Sequence, residues 1–197
     1  MLSPETLYLI TAGCVMACWI VFAAVFLLRR RSQGHSERRR ENQYRLGLFF
    51  EVVGYALIWM LRRKSPLLFE SGGIAMGIAL TFLAVVLAAV SVGMVIAALR
   101  ILGKQWAVAA RVVEGHQLIT EGPYAIVRNP IYSGMFGMMI STGIAFSTWY
   151  ALIVAIPVFW YGTLIRVRAE EKLLRETFGD EFDDYKRRVP SLIPKLR

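Results

Sequence analysis

The amino-acid sequence predicts an all-α integral membrane protein. It should have about five transmembrane helices, a helical hairpin over 131–165 and a cytosolic C-terminal amphipathic helix. Three observations carry this reading. Of 197 residues, 56% are hydrophobic, above the roughly 45–50% of soluble domains. That apolar excess lies in blocks long enough to span a bilayer. The run 131–165 holds 35 residues without a single charge. As one straight helix it would reach about 52 Å, against a hydrocarbon core of about 30 Å. It must therefore fold back as two antiparallel arms, which brings Arg128 and Arg166 to one membrane face. The alternating ten-residue segments of a membrane barrel do not occur.

The elements follow in order. The stretch 7–28 is apolar and is followed by Arg29, Arg30 and Arg31. Charge after the apolar block is the reverse of a cleavable signal peptide, so the stretch reads as an anchor with its N-terminus outside. A shorter second span, 46–61, carries Glu51, and a third covers 74–99. Gly73 and Gly77 near its start have the spacing that permits close helix contact. The segment 100–128 is polar and reads as a cytosolic loop. The hairpin follows, with turn material at Ser141-Thr142-Gly143 and at Ser147-Thr148-Trp149 and a helix-kinking proline at Pro157. Beyond it, Leu173, Leu174 and Phe178 mark the apolar side of an amphipathic helix. Gly179 should end that helix, Asp180 should cap a short one through Tyr185, and Pro190 and Pro194 should keep the tail extended. The chain thus divides into a membrane region, 1–99, and a region with the polar motifs, hairpin and tail, 100–197.

Charge sets the expected topology. Seven arginines fall between Arg29 and Arg45, and nine basic residues fall from Arg166 to Arg197. The positive-inside rule places both groups in the cytosol. Arg62, Arg63 and Lys64 fall on the other side, which leaves open a re-entrant second segment. A basic run directly abutting an apolar span reads as a topology signal that touches lipid headgroups, not as a nucleic-acid site. Cys14 and Cys18 share a helix face and read as packing residues, while His35 and His116 are too isolated to build a metal site.

Two polar motifs flank the hairpin. The first contains Gly122, Pro123 and Tyr124, then Arg128, Asn129, Pro130 and Tyr132; the second contains Arg166, Glu170 and Glu171. Arg166 and Glu170 are one helical turn apart, either as an interfacial ion pair or as a charged clamp at a membrane-edge pocket. In the clamp, a carboxylate holds a cationic group and an arginine holds a carboxylate. Gly122-Pro123 and Asn129-Pro130 are turn chemistry, either an ordinary entry into a membrane helix or backbone groups offered to a ligand. Tyr124, Arg128 and Tyr132 form an aromatic–cationic stripe if that stretch is helical. Glu51 is an intramembrane acid, and so either a functional residue or one that reaches water from a short span. No Rossmann fingerprint, P-loop, nucleophile elbow or zinc-protease pair is present.

With Gly115, His116 and Leu118 before them, and Leu174, Phe178-Gly179, Tyr185, Val189-Pro190 and Pro194 after them, these motifs resemble the isoprenylcysteine carboxyl methyltransferase family. The resemblance covers 102–196. It implies a membrane methyltransferase that uses S-adenosylmethionine, leaves S-adenosylhomocysteine and has its catalytic part in 100–197. It implies cofactor contacts at His116, Gln117, Leu118, Gly122, Tyr124, Arg128, Asn129, Pro130, Tyr132, Glu170 and Glu171. Arg166 and Glu170 are the expected catalytic pair. Glu170 would hold the cofactor's amino group, and Arg166 would orient the acceptor. Asn129 stands where the family usually has histidine, which keeps hydrogen bonding but loses a cationic imidazole.

The implied partner is a lipophilic small molecule or lipidated substrate such as a prenylcysteine carboxylate, in contact with membrane lipids and without nucleic acid. The motifs and C-terminus would face the cytosol. A phospholipid amine or a thiol is an alternative acceptor. An NADPH-dependent membrane reductase and a non-catalytic scaffold are the alternative classes.

Overall fold

The computed structural model describes residues 3–30, 41–63, 73–103 and 118–194. They form an all-α integral membrane protein. Five long helices make the bundle: α1 (Pro4–Arg30), α2 (Glu41–Met60), α3 (Gly73–Leu102), α4 (Pro130–Phe146) and α5 (Trp149–Phe178). A short α6 (Asp180–Arg188) and a tail follow. By length and composition α1, α3 and α5 suffice to cross a membrane. Their apolar side chains also point outward, as at Leu9, Ile20, Phe82 and Ile153. In water that exposure would be unfavourable; against lipid it is not.

The hub is α4, which touches all four other long helices. Its composition explains how. Gly134, Gly137, Ser141, Thr142 and Gly143 are all buried, and small residues let backbones approach. A Cβ on Gly134 would lie 2.8 Å from the Ser91 carbonyl oxygen of α3. Polar groups on α4 are satisfied by its neighbours. Ser141 Oγ donates to the Ala84 carbonyl at 2.8 Å, and Trp19 Nε1 donates to Thr142 Oγ1 at 2.9 Å. Without water, such groups need protein partners.

Helix α2 lies antiparallel along α5. Tyr44, Gly47, Glu51, Gly54 and Ile58 are all buried. They alternate three and four apart, the spacing of one helix seam. A Cβ on Gly162 of α5 would meet the Gly47 carbonyl oxygen at 2.5 Å, and one on Gly54 would meet Phe159 Cβ at 2.9 Å. The α2 helix is thus continuous from the motif end of the bundle to the hairpin turn.

The turn at Ser147 and Thr148 is tied to the end of α2. Thr148 N donates to the Leu61 carbonyl at 3.2 Å, and Arg63 N donates to the Phe146 carbonyl at 3.0 Å. The Arg63 guanidinium also donates to the carbonyls of Ile144 and Ala145 at 2.7 and 2.9 Å. Those are terminal carbonyls of α4 that lack helical partners. Arg62 lies over the Trp59 ring at 4.5 Å. Part of the basic cluster at 62–64 therefore closes a helix end; Lys64 lies outside the described residues.

Three local expectations change. Asp180 does not cap α6: Gly179, at φ 52°, occupies the cap position with no side-chain bond, and α6 runs on past Tyr185 to Arg188. The stretch from Tyr124 to Tyr132 is not one helix, because a 3-10 turn over Gly122–Ala125 is followed by non-helical backbone until Pro130. Gly73 makes no close contact; the tight approaches occur at Gly47, Gly134 and Gly162.

Candidate active site

Pro130 begins α4 as its first residue. There its fixed φ is favourable and its missing N–H costs nothing. The preceding Gly122 has φ 58° and packs against Ile101 at the end of α3. Tyr124 is buried in the 3-10 turn. Together these place Arg128 and Asn129 above the C-terminal half of α5. Glu170 and Glu171 are successive helical residues, about 100° apart around the axis. They serve two separate clusters.

Glu171 belongs to the outer cluster. Its Oε1 accepts from Arg128 NH2 at 2.7 Å and from Arg128 Nε at 3.1 Å. Its Oε2 lies 3.1 Å from Lys186 Nζ. Arg128 also donates to the carbonyls of Val189 and Lys186. Asn129 Nδ2 donates to the Ser191 carbonyl and hydroxyl oxygens, each at 3.2 Å. Backbone bonds reinforce the tie: Arg128 N donates to Pro190 O at 2.8 Å and Asn129 N to Ser191 O at 3.0 Å. Tyr185 donates its hydroxyl to the Tyr124 carbonyl at 2.6 Å. Burial pushes the Tyr185 hydroxyl up to about 12, so it stays protonated and keeps donating. Burial, with Glu170 nearby, also holds the Tyr124 hydroxyl above its ordinary range. The tail is therefore stapled across the first motif.

Glu170 belongs to the inner cluster. Tyr132 donates its hydroxyl to Glu170 Oε1 at 2.5 Å. Arg166 is buried and forms a salt bridge with Glu51 of α2 through NH1, while its NH2 donates to the Tyr44 hydroxyl. Its guanidinium carbon lies 4.2 Å from the Tyr44 ring centroid and 4.8 Å from that of Tyr132. Thr163 Oγ1 donates to the other Glu51 oxygen at 3.1 Å. Glu51 is 1% exposed, so it is a bonded interior group that does not reach water.

Tyr124, Arg128, Asn129, Pro130, Tyr132, Arg166, Glu170 and Glu171 thus gather at one end of the bundle. Leu118 is half-buried upstream of the 3-10 turn. His116 and Gln117 lie outside the described residues. The sequence reading missed Tyr44, Thr163, Lys186 and Ser191 as neighbours of these motifs. For Tyr44 a signal existed: it sits two turns before Glu51 on the glycine-bearing seam of α2. For Lys186 and Ser191 no spacing rule links the tail to α5.

A sequence profile of the phospholipid methyltransferase family matches residues 79–181, which is more than half of the chain. The chain belongs to the phospholipid methyltransferase family. The family match includes α3 from residue 79 on, both motifs, the hairpin and the start of α6, and leaves out α1 and α2. Curated relatives include the protein-S-isoprenylcysteine O-methyltransferase of Schizosaccharomyces pombe, 34% identical over 89 residues, covering 45% of this chain and 38% of that protein. Protein-S-isoprenylcysteine O-methyltransferase B of Arabidopsis thaliana is 36% identical over 81 residues, 41% of each chain. The nickel-cobalt-cadmium resistance protein NccN of Alcaligenes xylosoxydans xylosoxydans is 34% identical over 114 residues, 55% of this chain and 51% of its own. The match spans about two fifths of the two methyltransferases' length. These relatives bear out the resemblance read from the motifs.

Proposed function

We infer that this protein transfers a methyl group from S-adenosylmethionine to a lipophilic acceptor where the membrane meets the cytosol. The observation that carries this reading is the state of Glu170. One of its oxygens is held by Tyr132, and the carboxylate is half-buried on α5 one helical turn from Arg166. A half-buried carboxylate fixed in this way suits an ammonium group. The cofactor supplies a methyl group on a sulfonium, activated for displacement. The chain has to hold, orient and exclude water, which is most of what an in-line transfer needs.

Glu170 binds the cofactor's amino group. Leu118, Gly122, Tyr124, Asn129, Pro130 and Tyr132 form the rest of the cofactor side; the family resemblance adds His116 and Gln117, which lie outside the described residues. Arg128 and Glu171 hold the tail across it. Arg166 orients the acceptor. A carboxylate acceptor, as on a prenylated cysteine, is already a nucleophile and needs only positioning. The names of the isoprenylcysteine methyltransferase relatives support that acceptor class, and the family's name supports a phospholipid amine as the second candidate. The basic residues near 29–45 and in the tail favour a cytosolic site.

The test is titration of purified protein with S-adenosylhomocysteine and NADPH. A methyl-transfer screen over prenylcysteine, phospholipid and thiol acceptors follows. Glu170→Gln should weaken S-adenosylhomocysteine binding by about tenfold, the worth of one hydrogen bond to a charged group. Unchanged affinity would refute its role. Arg166→Ala should lower turnover about a hundredfold, and retained turnover would remove Arg166 from the site. Binding of NADPH alone would favour the reductase class, and binding of neither ligand would favour a scaffold.

A further inference from the structure

Glu51 lies outside the matched segment 79–181, on a helix that carries neither motif. It is nonetheless the partner of Arg166. We propose that Glu51 is a positioning residue of the active site, acting through Arg166 to fix the guanidinium that orients the acceptor. This rests on the methyl-transfer reading above.

The geometry is built for this contact. Arg166 has four χ angles and would otherwise sample many rotamers. Glu51 holds one end of its guanidinium, the Tyr44 hydroxyl holds the other, and the rings of Tyr44 and Tyr132 lie within 5 Å of its centre. Glu51 is itself held by Thr163 at 3.1 Å. The contact requires an unusually close approach of α2 and α5. A Cβ on Gly47 would lie 2.5 Å from Arg166 Cγ, and one on Gly162 would lie 3.0 Å from Glu51 N. Only glycine at both positions lets the two side chains meet.

Stability is a poor explanation for the pair. Burying two charges costs several kcal/mol of desolvation, and apolar residues of similar size usually pack as well or better. A buried, clamped arginine is what a site needs when a functional group must be held within about half an ångström. Through Tyr132, whose hydroxyl bonds Glu170, the same constellation touches the cofactor side. A single network thus aligns the two halves of the reaction.

The experiment is a double-mutant cycle on full-length protein in detergent or nanodiscs. Glu51→Gln, Arg166→Gln and the double variant are compared, with Tyr44→Phe as a nearly isosteric control that removes the other hold on Arg166. Glu51→Gln should lower acceptor kcat/KM about tenfold or more, while S-adenosylhomocysteine affinity stays within about twofold. The double variant should be no slower than Arg166→Gln, because Glu51 has no effect once Arg166 is gone. Tyr44→Phe should shift kcat/KM in the same direction by about threefold. Wild-type turnover in Glu51→Gln would overturn the proposal. So would multiplicative losses in the double variant, or loss of cofactor binding in step with turnover, which would mark a structural role only. Failure of the wild-type protein to bind S-adenosylhomocysteine would instead reject the methyl-transfer reading.

Discussion

Replacing Glu171 by glutamine should release the tail without melting the bundle. The carboxylate collects Arg128 at 2.7 and 3.1 Å, Ser191 Oγ at 3.3 Å, Asn129 Nδ2 at 3.4 Å and Lys186 at 3.1 Å. The Glu171 and Arg128 side chains are only 12% and 8% exposed. Glutamine keeps the shape and one acceptor, but it leaves the Arg128 charge unpaired and turns an N–H₂ toward Lys186. Removing one member of a buried pair costs about 3–5 kcal/mol. The lower end applies, because Arg128 keeps its bonds to the carbonyls of Val189 and Lys186. Lys186 adds little, since its side chain is 51% exposed. A loss of about 3 kcal/mol raises the undocked population about a hundredfold.

Trypsin reads that population directly. Lys186, Arg187 and Arg188 lie in helix α6, and cleavage there requires local opening. Where reclosing outpaces cleavage, the rate follows the open fraction. Trypsinolysis after these residues should accelerate about a hundredfold in Glu171→Gln, with the main melting transition little changed. A rate within about threefold of wild type would refute the idea that Glu171 staples the tail.

Tyr185→Phe deletes the bond to the Tyr124 carbonyl and should cost about 1 kcal/mol at neutral pH, read as a lower melting temperature. The folded state raises the Tyr185 pKa to about 12, so its contribution is full below the ordinary tyrosine range and is lost as pH rises through that value. The difference between wild type and Tyr185→Phe should therefore shrink in alkaline melts. Gly162→Ala drives a methyl group toward the Gly47 carbonyl oxygen at 2.5 Å and Phe50 Cβ at 2.8 Å. Overpacking costs about 1–3 kcal/mol, of which alanine's helix propensity returns roughly 1. Thermal unfolding should show a net loss, and turnover should fall further because α2 moves off Arg166.

The sequence was most informative about the elements and least about their neighbours. The apolar helices α1 and α3, the folded-back uncharged run and the two flanking motifs were legible, because lipid imposes length and composition on a span without reference to its partners. Pro130 was legible as a helix start for a local steric reason. Asp180 was misread as a cap because Gly179, with its positive φ, takes that position. Gly73 and Gly77 drew notice by spacing alone, yet Gly47 and Gly162 carry the close approach of α2 to α5.

Glu51 shows the division most clearly. Its place in an apolar helix marked it as unusual from the sequence alone. That it pairs with Arg166, 115 positions away, and that Ser191 and Lys186 close over Arg128 and Glu171, only the tertiary structure decided. Spans and motifs follow from the chain's local chemistry and the solvent around it. The choice of which helix faces which depends on the fit of side chains distant in sequence, and no local pattern encodes that fit.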